Sequence, residues 1–441
     1  MKSLIIVYKN LKIKINESNS YKFPISSNKG IESKILLEKN NENIPENNNI
    51  NLMKSKFQKL IEFLFFNEKR KQKRNLGIDI ARIIAIFFII NHHIIYHGLP
   101  LKITKDMLFA NKLLLFLNTI FSSGVNIFGM ISGFVGFRSY KYSNLIYLLF
   151  QTSSYNFFIR LYFQKTKANM QLDYYHLLYP VFMSGYWYFQ EYFSLYFFLP
   201  LINAGIKSFD KREMGSFNLS LFLLFSCFNQ VKHYSIRLQN DIFHFINGFT
   251  YMWLIILYIF GSYFGRFNYI SHNFNKYIIF LICMSIIVSI SLLRNQIIIY
   301  KVEHNFLVER MIVEYTAPSS VIIAMCFIIL LSKININSKY IKNLISFFAP
   351  LTYGIYLTHS HCLYLNFFIK NKYSWLLKYS SHKLVLLELL ESLKIFFFCS
   401  FVDYLRLILF KIFKIRQIAI YISNFTNRLF AEIIIIFEKL Y

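Results

Sequence analysis

IDIARIIAIFFIINHHIIYHG, Ile78 to Gly98, is apolar enough to cross a bilayer, yet it carries Asp79, Arg82, His92, His93 and His97. A spanning helix needs about 20 mainly apolar residues. An ionisable side chain at membrane depth costs several kcal/mol, so its presence is a functional-site hypothesis by default. At about 100° per residue, the eleven positions from Arg82 to His93 return the histidine to within about 20° of the arginine. Asp79 and His97 fall within about 60° of Arg82 by the same arithmetic. The rise from Arg82 to His93 is about 16 Å, roughly half the hydrocarbon thickness. One helix face therefore holds an acid, a guanidinium and an imidazole at different depths, and a lipid-facing stripe would not tolerate that. The blander alternative has Arg82 snorkelling to the headgroups with Asp79 as its i, i+3 partner, while His93 and His97 cap the far end.

The rest of the 441-residue chain is of the same kind, 55% apolar and 19% aromatic, with a mean hydropathy of +0.39. A soluble domain is nearer about 45–50% apolar. Apolar windows fall near 78–98, 113–137, 143–163, 187–206, 216–231, 249–266, 275–294, 311–332, 345–369 and 384–411, the third and fifth being the weakest. These runs are continuous rather than alternating, which excludes strands. The fold class is all-α, a polytopic membrane protein of about ten transmembrane helices.

The net charge of +27 does not point to nucleic acid, because much of it is Lys scattered through Asn-, Ile- and Lys-rich sequence. On a membrane protein a basic excess faces anionic lipid or an anionic cytosolic substrate. The five cysteines, Cys227, Cys283, Cys326, Cys362 and Cys399, sit singly in apolar runs, with no spacing that suggests a disulfide framework or a zinc site.

Residues 1–72 form a polar leader whose stretch NNENIPENNNIN, Asn40 to Asn51, is low-complexity and expected to be disordered. It ends in EKRKQKR, Glu68 to Arg74, which by the positive-inside rule holds the N-terminus in the cytoplasm. A membrane domain over 73–415 follows. An even number of spans returns the C-terminus to the same side, where Lys411, Lys414 and Arg416 lie. The tail over 416–441 reads as an amphipathic helix at the membrane surface. The expected location is the cell membrane, with both termini cytoplasmic.

Three further stretches carry chemistry or packing signals. YLTHSH, Tyr356 to His361, places His359 and His361 in an apolar setting after Gly354. GYWYFQEYFSLYFFLP, Gly185 to Pro200, opens as an interfacial aromatic anchor at Trp187 and contains Glu191. GMISGF, Gly129 to Phe134, has the small residues that let another helix come close. No P-loop, dinucleotide fingerprint or HExxH metal pair is present, and no GxSxG elbow.

Taken in order, these residues resemble the membrane-bound acyltransferase family 3, over about 74 to 414. The family's first span has an aspartate, an arginine, ten residues and a histidine, matched by Asp79, Arg82 and His93. Its second carries a serine-glycine-aromatic signature, matched by Ser132, Gly133 and Phe134; Gly129 sits where a bulky residue is usual. Its fourth runs from Trp to Pro, matched by Trp187, Tyr196 and Pro200, and Asn247 to Arg266 is similar to its sixth. Gly354, Tyr356, Leu357 and His359 match the ninth, and Asp403 and Arg406 the last. Glu191 is one position from the acidic pair of members fused to an SGNH domain; the chain resembles the stand-alone branch without one.

The resemblance implies acyl transfer, usually of acetyl, from acyl-CoA as co-substrate to a hydroxyl of a carbohydrate or glycan, with no permanently bound cofactor and no metal. Histidine can deprotonate the acceptor hydroxyl, and arginine can bind phosphate or polarise a thioester carbonyl. The expected catalytic residues are His93 and Arg82, then His359. Lys73, Arg74, Arg138, Lys141 and Arg266 would form a cationic cytosolic mouth for the CoA pyrophosphate. Asp79, Ser132, Trp187 and Glu191 would support the site. The competing readings are a secondary transporter for a glycan or small anion, against which no inverted repeat is visible, and a non-catalytic relative.

Overall fold

The computed structural model describes residues 75–99, 109–138, 140–166, 185–230, 243–267, 276–303 and 314–440. The leader over 1–72, Lys73 and Arg74 lie outside the described residues. Among the described residues every regular element is helical and there is no strand. In chain order the helices are α1 (Leu76–His93), α2 (Phe109–Phe121), α3 (Gly124–Gly136), α4 (Tyr142–Thr166), α5 (Trp187–Ser208), α6 (Lys211–Phe222), α7 (Tyr251–Arg266), α8 (Lys276–Glu303), α9 (Pro318–Ser332), α10 (Lys339–Phe348), α11 (Thr352–His359), α12 (Ser381–Ile412) and α13 (Ile415–Leu440).

Three stretches of the described residues are long and apolar enough to cross a membrane by length and composition: Leu76–Gly98, Asn111–Gly136 and Tyr277–Lys301. The first two are 61% and 78% buried, whereas the third is only 22% buried. α1 and the α2–α3 pair therefore lie inside the bundle and α8 at its edge, where Tyr277, Leu281 and Leu293 are largely exposed. A contiguous apolar face of that kind needs an apolar solvent, and this is a membrane protein.

Local chemistry decides where the helices start and break. Asn75 caps α1, its Oδ1 accepting from the N–H groups of Gly77 (3.0 Å) and Ile78 (3.3 Å). Its Nδ2 donates to the Ser332 carbonyl at 3.1 Å, tying the start of α1 to the end of α9. The second apolar run breaks at Ser122 and Ser123, whose hydroxyls bond back to Thr119 (3.0 Å) and Ile120 (2.7 Å). The run near 216–231 starts earlier than its apolar residues suggest, because Asp210 and Glu213 form a reciprocal capping box at Lys211.

The run near 345–369 is not one helix. Pro350 lacks an N–H, and α10 gives way there to a 3₁₀ turn, Ala349–Leu351, before α11 begins. At His361 the backbone turns extended and the imidazole Nδ1 accepts from the Leu363 N–H at 3.2 Å, starting a short helical turn. α13 follows α12 after a kink at Lys414 (φ +52°), and packs on α4 through Arg416, which bonds Asn144 at 2.6 Å and covers the Tyr147 ring.

The densest contact in the core is between α3 and α7. Gly133 lies against the Tyr258 carbonyl and Gly261 against the Met130 carbonyl, so a Cβ on either would collide with the partner's backbone. This is the small-residue packing expected of helices that associate without a hydrophobic driving force. Asn126 of α3 extends it, accepting from the Trp253 indole N–H (3.2 Å) and donating to the Tyr315 carbonyl (2.8 Å).

This packing makes a paired prediction. Gly261→Ala should destabilise the purified protein by about 1–3 kcal/mol through overpacking. Gly205→Ala, at a helical position with open space around it, should be neutral or gain up to about 1 kcal/mol from helix propensity. Thermal melts in detergent compare the two; equal melting temperatures would contradict the close α3–α7 approach.

Candidate active site

α1 does not end as it begins. After His93 it continues as a π turn, Ile94–Gly98, closed by the bond from the Leu99 N–H to the Ile94 carbonyl at 3.0 Å. Such turns are frequent at functional sites, because they re-aim side chains that a regular helix would stack. Here the turn gathers histidines: the His93 ring lies 5.6 Å from that of His97 and 6.0 Å from that of His92. α11 delivers the fourth imidazole, with the His359 ring 5.1 Å from that of His93. The first and ninth apolar runs of the sequence thus meet at His93 and His359.

His92, His93 and His97 open onto a cavity of about 380 Å³, with His359 behind them. α1 contributes His92, His93, Tyr96 and His97 to its wall; Tyr356, Ser360 and Leu365 face them. The third wall is aromatic: Trp187 at the start of α5, Phe249 and Tyr315, with Asn247 beside them. Trp187 stacks on Tyr315 at 5.7 Å and packs against Phe249 at 4.4 Å. The loop that carries Asn247 and Phe249 is strained, with positive φ at His244, Ile246, Asn247 and Gly248. For a β-branched residue such as Ile246 this is a real outlier, of the kind that persists where surrounding structure over-determines it.

The imidazoles differ in what holds them. His92 is buried, its Nδ1 2.7 Å from the Asn118 Oδ1. His359 is buried, with Nδ1 2.6 Å from the Ile355 carbonyl and Nε2 3.2 Å from the Ser360 hydroxyl. His361 has both nitrogens engaged, one as the cap for Leu363 and the other 3.4 Å from the Asn156 Oδ1, which makes it a structural residue. His93 stands apart: its Nδ1 is buried and has no hydrogen-bond partner among the described residues. Among the described residues no three His, Cys, Asp or Glu side chains converge as metal ligands.

α11 is fixed from behind by a buried ion pair. The Asp403 carboxylate takes two bonds from the Arg406 guanidinium, at 2.9 and 2.8 Å, and one from the Tyr155 hydroxyl at 2.6 Å. Gly354 lies directly against that carboxylate, with no room for a Cβ. The Gly354 and Asp403 signatures of the sequence are therefore two halves of one contact.

The remaining sequence candidates lie elsewhere. Arg82 pairs with the buried Asp79 at 2.6 Å and does not line the cavity. Ser132 donates to the Gly129 carbonyl within its own helix at 2.6 Å. The Glu191 carboxylate accepts from the Tyr251 N–H at 2.7 Å, capping α7 from outside. Arg138 and Arg266 lie where α3, α5 and α7 end, and Lys141 stands just before α4. Arg138 donates to the Gly265 carbonyl (3.4 Å), and Arg266 to the carbonyls of Ile206 and Lys207. Both therefore also cap helix C-termini.

Sequence reasoning missed Ser360, Tyr96, Asn247, Phe249 and Tyr315. Ser360 lies inside YLTHSH, where the two histidines beside it carry the more obvious chemistry. Tyr315 follows no motif, and only the tertiary fold brings it to Trp187.

Residues 75–402 match the family described as an acyltransferase domain. No curated protein and no solved structure matches the chain.

The ion pair behind α11 is testable on its own. Asp403→Asn leaves the Arg406 charge buried without its partner and should cost about 3–5 kcal/mol. The paired change Asp403→Leu with Arg406→Met removes both charges and should cost clearly less. Melting curves of the two variants should separate; coincident curves would show that charge burial is not the governing term.

Proposed function

The chain belongs to the membrane-bound acyltransferase family 3, and from that premise we propose that it moves an acyl group, acetyl first among them, from acyl-CoA to a hydroxyl of a carbohydrate or cell-surface glycan. The observation that carries this reading is His93, whose buried Nδ1 has no hydrogen-bond partner among the described residues and whose ring lines the cavity. An imidazole that lines a cavity and whose nitrogen is not committed to a protein hydrogen bond is suited to take a proton from an alcohol as its oxygen attacks an acyl carbonyl. The aromatic lining of Trp187, Phe249 and Tyr315 supports a sugar acceptor, because aromatic side chains pack favourably against the apolar C–H groups of a pyranose ring.

Arg82 serves the donor rather than the reacting carbonyl. It stands about 16 Å along α1 from His93, and Asp79 fixes its guanidinium. A planar fork of N–H donors suits phosphate or the amide-rich arm of CoA. Arg138 and Lys141, both exposed at one end of the bundle, are placed to attract the anionic nucleotide. In this reading that end and both chain termini are cytoplasmic, and the protein sits in the cell membrane. His359 completes the site.

Two measurements follow. Acetyl-CoA should raise the melting temperature of the purified protein, since a ligand of the folded state shifts unfolding. Charge reversal at Lys141 should shrink that shift, and undiminished protection would remove the residue from the donor site.

With labelled acetyl-CoA and membranes containing candidate acceptor glycans, His93→Ala should lower transfer by about 10²–10⁴-fold while the protein still folds. Arg82→Lys should also lose activity, because an ammonium cannot reproduce the guanidinium geometry. Full transfer by a well-folded His93→Ala protein would exclude it as the general base.

A further inference from the structure

We propose that Ser360 receives the acyl group first, as an ester on its Oγ, and that the acceptor takes it from there. This rests on the acyl-transfer reading above and specifies its route.

The geometry around Ser360 is that of an activated nucleophile. Its side chain lines the cavity, and its Oγ lies 3.2 Å from the His359 Nε2. The tautomer of His359 follows from its other contact: Nδ1 is 2.6 Å from the Ile355 carbonyl, which can only accept, so Nδ1 carries the proton. In the neutral ring Nε2 is then the bare nitrogen, and the Ser360 hydroxyl donates to it. Nucleophile, base and a third group that orients the base are all in place.

Burial adds a second argument. His359 is fully buried and is not among the cavity-lining residues, and Ser360 is the cavity-lining residue hydrogen-bonded to it. A base in such a position can act on Ser360 far more readily than on an acceptor alcohol. His93, on the α1 wall of the same cavity, is left to handle the acceptor.

The steps balance without any redox change. Ser360 Oγ attacks the thioester carbon while its proton passes to the His359 Nε2. The C–S bond breaks, and the departing CoA sulfur takes that proton and leaves as the thiol. The acceptor oxygen then attacks the acyl-serine carbonyl, giving its proton to His93. The C–Oγ bond breaks and His93 returns the proton to Ser360, which restores the starting state.

The test uses the full-length protein in detergent with acetyl-labelled acetyl-CoA and no acceptor. The expected result is an acetyl ester on the peptide containing Ser360, together with exchange of labelled CoA into acetyl-CoA. Ser360→Ala should abolish both and lower overall transfer on the order of 10³-fold or more. Ser360→Cys should retain labelling, now as a thioester cleaved by neutral hydroxylamine. Membranes that acetylate an acceptor while the protein stays unlabelled and CoA exchange is absent would overturn the proposal and leave direct transfer by His93. So would wild-type transfer by Ser360→Ala, or label on another side chain. If acetyl-CoA yields neither label nor product in any membrane, the donor reading fails and this inference falls with it.

Discussion

Asp403 is a fully buried carboxylate, and much of the site is built around that fact. Its charge is met by the Arg406 fork and the Tyr155 hydroxyl. The Gln151 amide lies nearby, its Nε2 3.5 Å from the Asp403 Oδ1. These partners come from α4 and α12. The helix that carries His359 is pressed against the same carboxylate at Gly354. A buried pair of this kind adds little net stability over apolar packing, but it is intolerant of partial change. Gly354 packs there only because it has no Cβ, so the carboxylate sets how closely α11 approaches α12, and His359, five residues on, takes its position from that contact.

α1 links the two ends of the proposed reaction. Its first two turns hold the Asp79–Arg82 pair, and Asp79 in the first also complements the helix dipole. Its last turns hold the imidazoles. Between them the helix is sealed by apolar side chains, Ala85, Ile86 and Ile90 being fully buried. A rigid helix sets a fixed separation between a charge suited to phosphate and a base suited to a hydroxyl. That separation is the natural length scale for a donor whose anionic part and reactive thioester lie at opposite ends of a long arm.

What the sequence made legible follows from what is local. The stripe on α1 could be read because a helix converts spacing into direction, and His93 does face the cavity. The close-packing role of GMISGF could be read because small residues at that spacing have few other uses in a membrane. All-helical structure followed from continuous apolar runs. The break at Pro350 was legible in principle, but the aliphatic run around it masked it. Glu191 was singled out as an acid near a membrane interface, and only the fold shows that its partner is the N–H of Tyr251. The aromatic wall was not legible as a unit, since Trp187, Phe249 and Tyr315 come from separate parts of the chain. Ser360 was hidden by its chemistry: a serine beside a histidine is unremarked until the tautomer of that histidine is known.

The π turn at Ile94–Gly98 has a consequence for how this region tolerates change. A π turn holds one residue more than the regular turn it replaces, so α1 keeps two registers, one before His93 and another after it. Through the second register the His97 and Gly98 carbonyls accept from the Asn371 and Tyr373 N–H groups, at 2.9 and 3.1 Å, pinning the far end of the helix to the loop before α12. Deleting a single residue between 94 and 98 would restore an ordinary helix and leave Arg82 and His93 untouched. It would also swing Tyr96 and His97 out of the cavity and strip both loop N–H groups of their acceptors. The length of this five-residue turn is therefore under tighter constraint than the identity of most side chains within it.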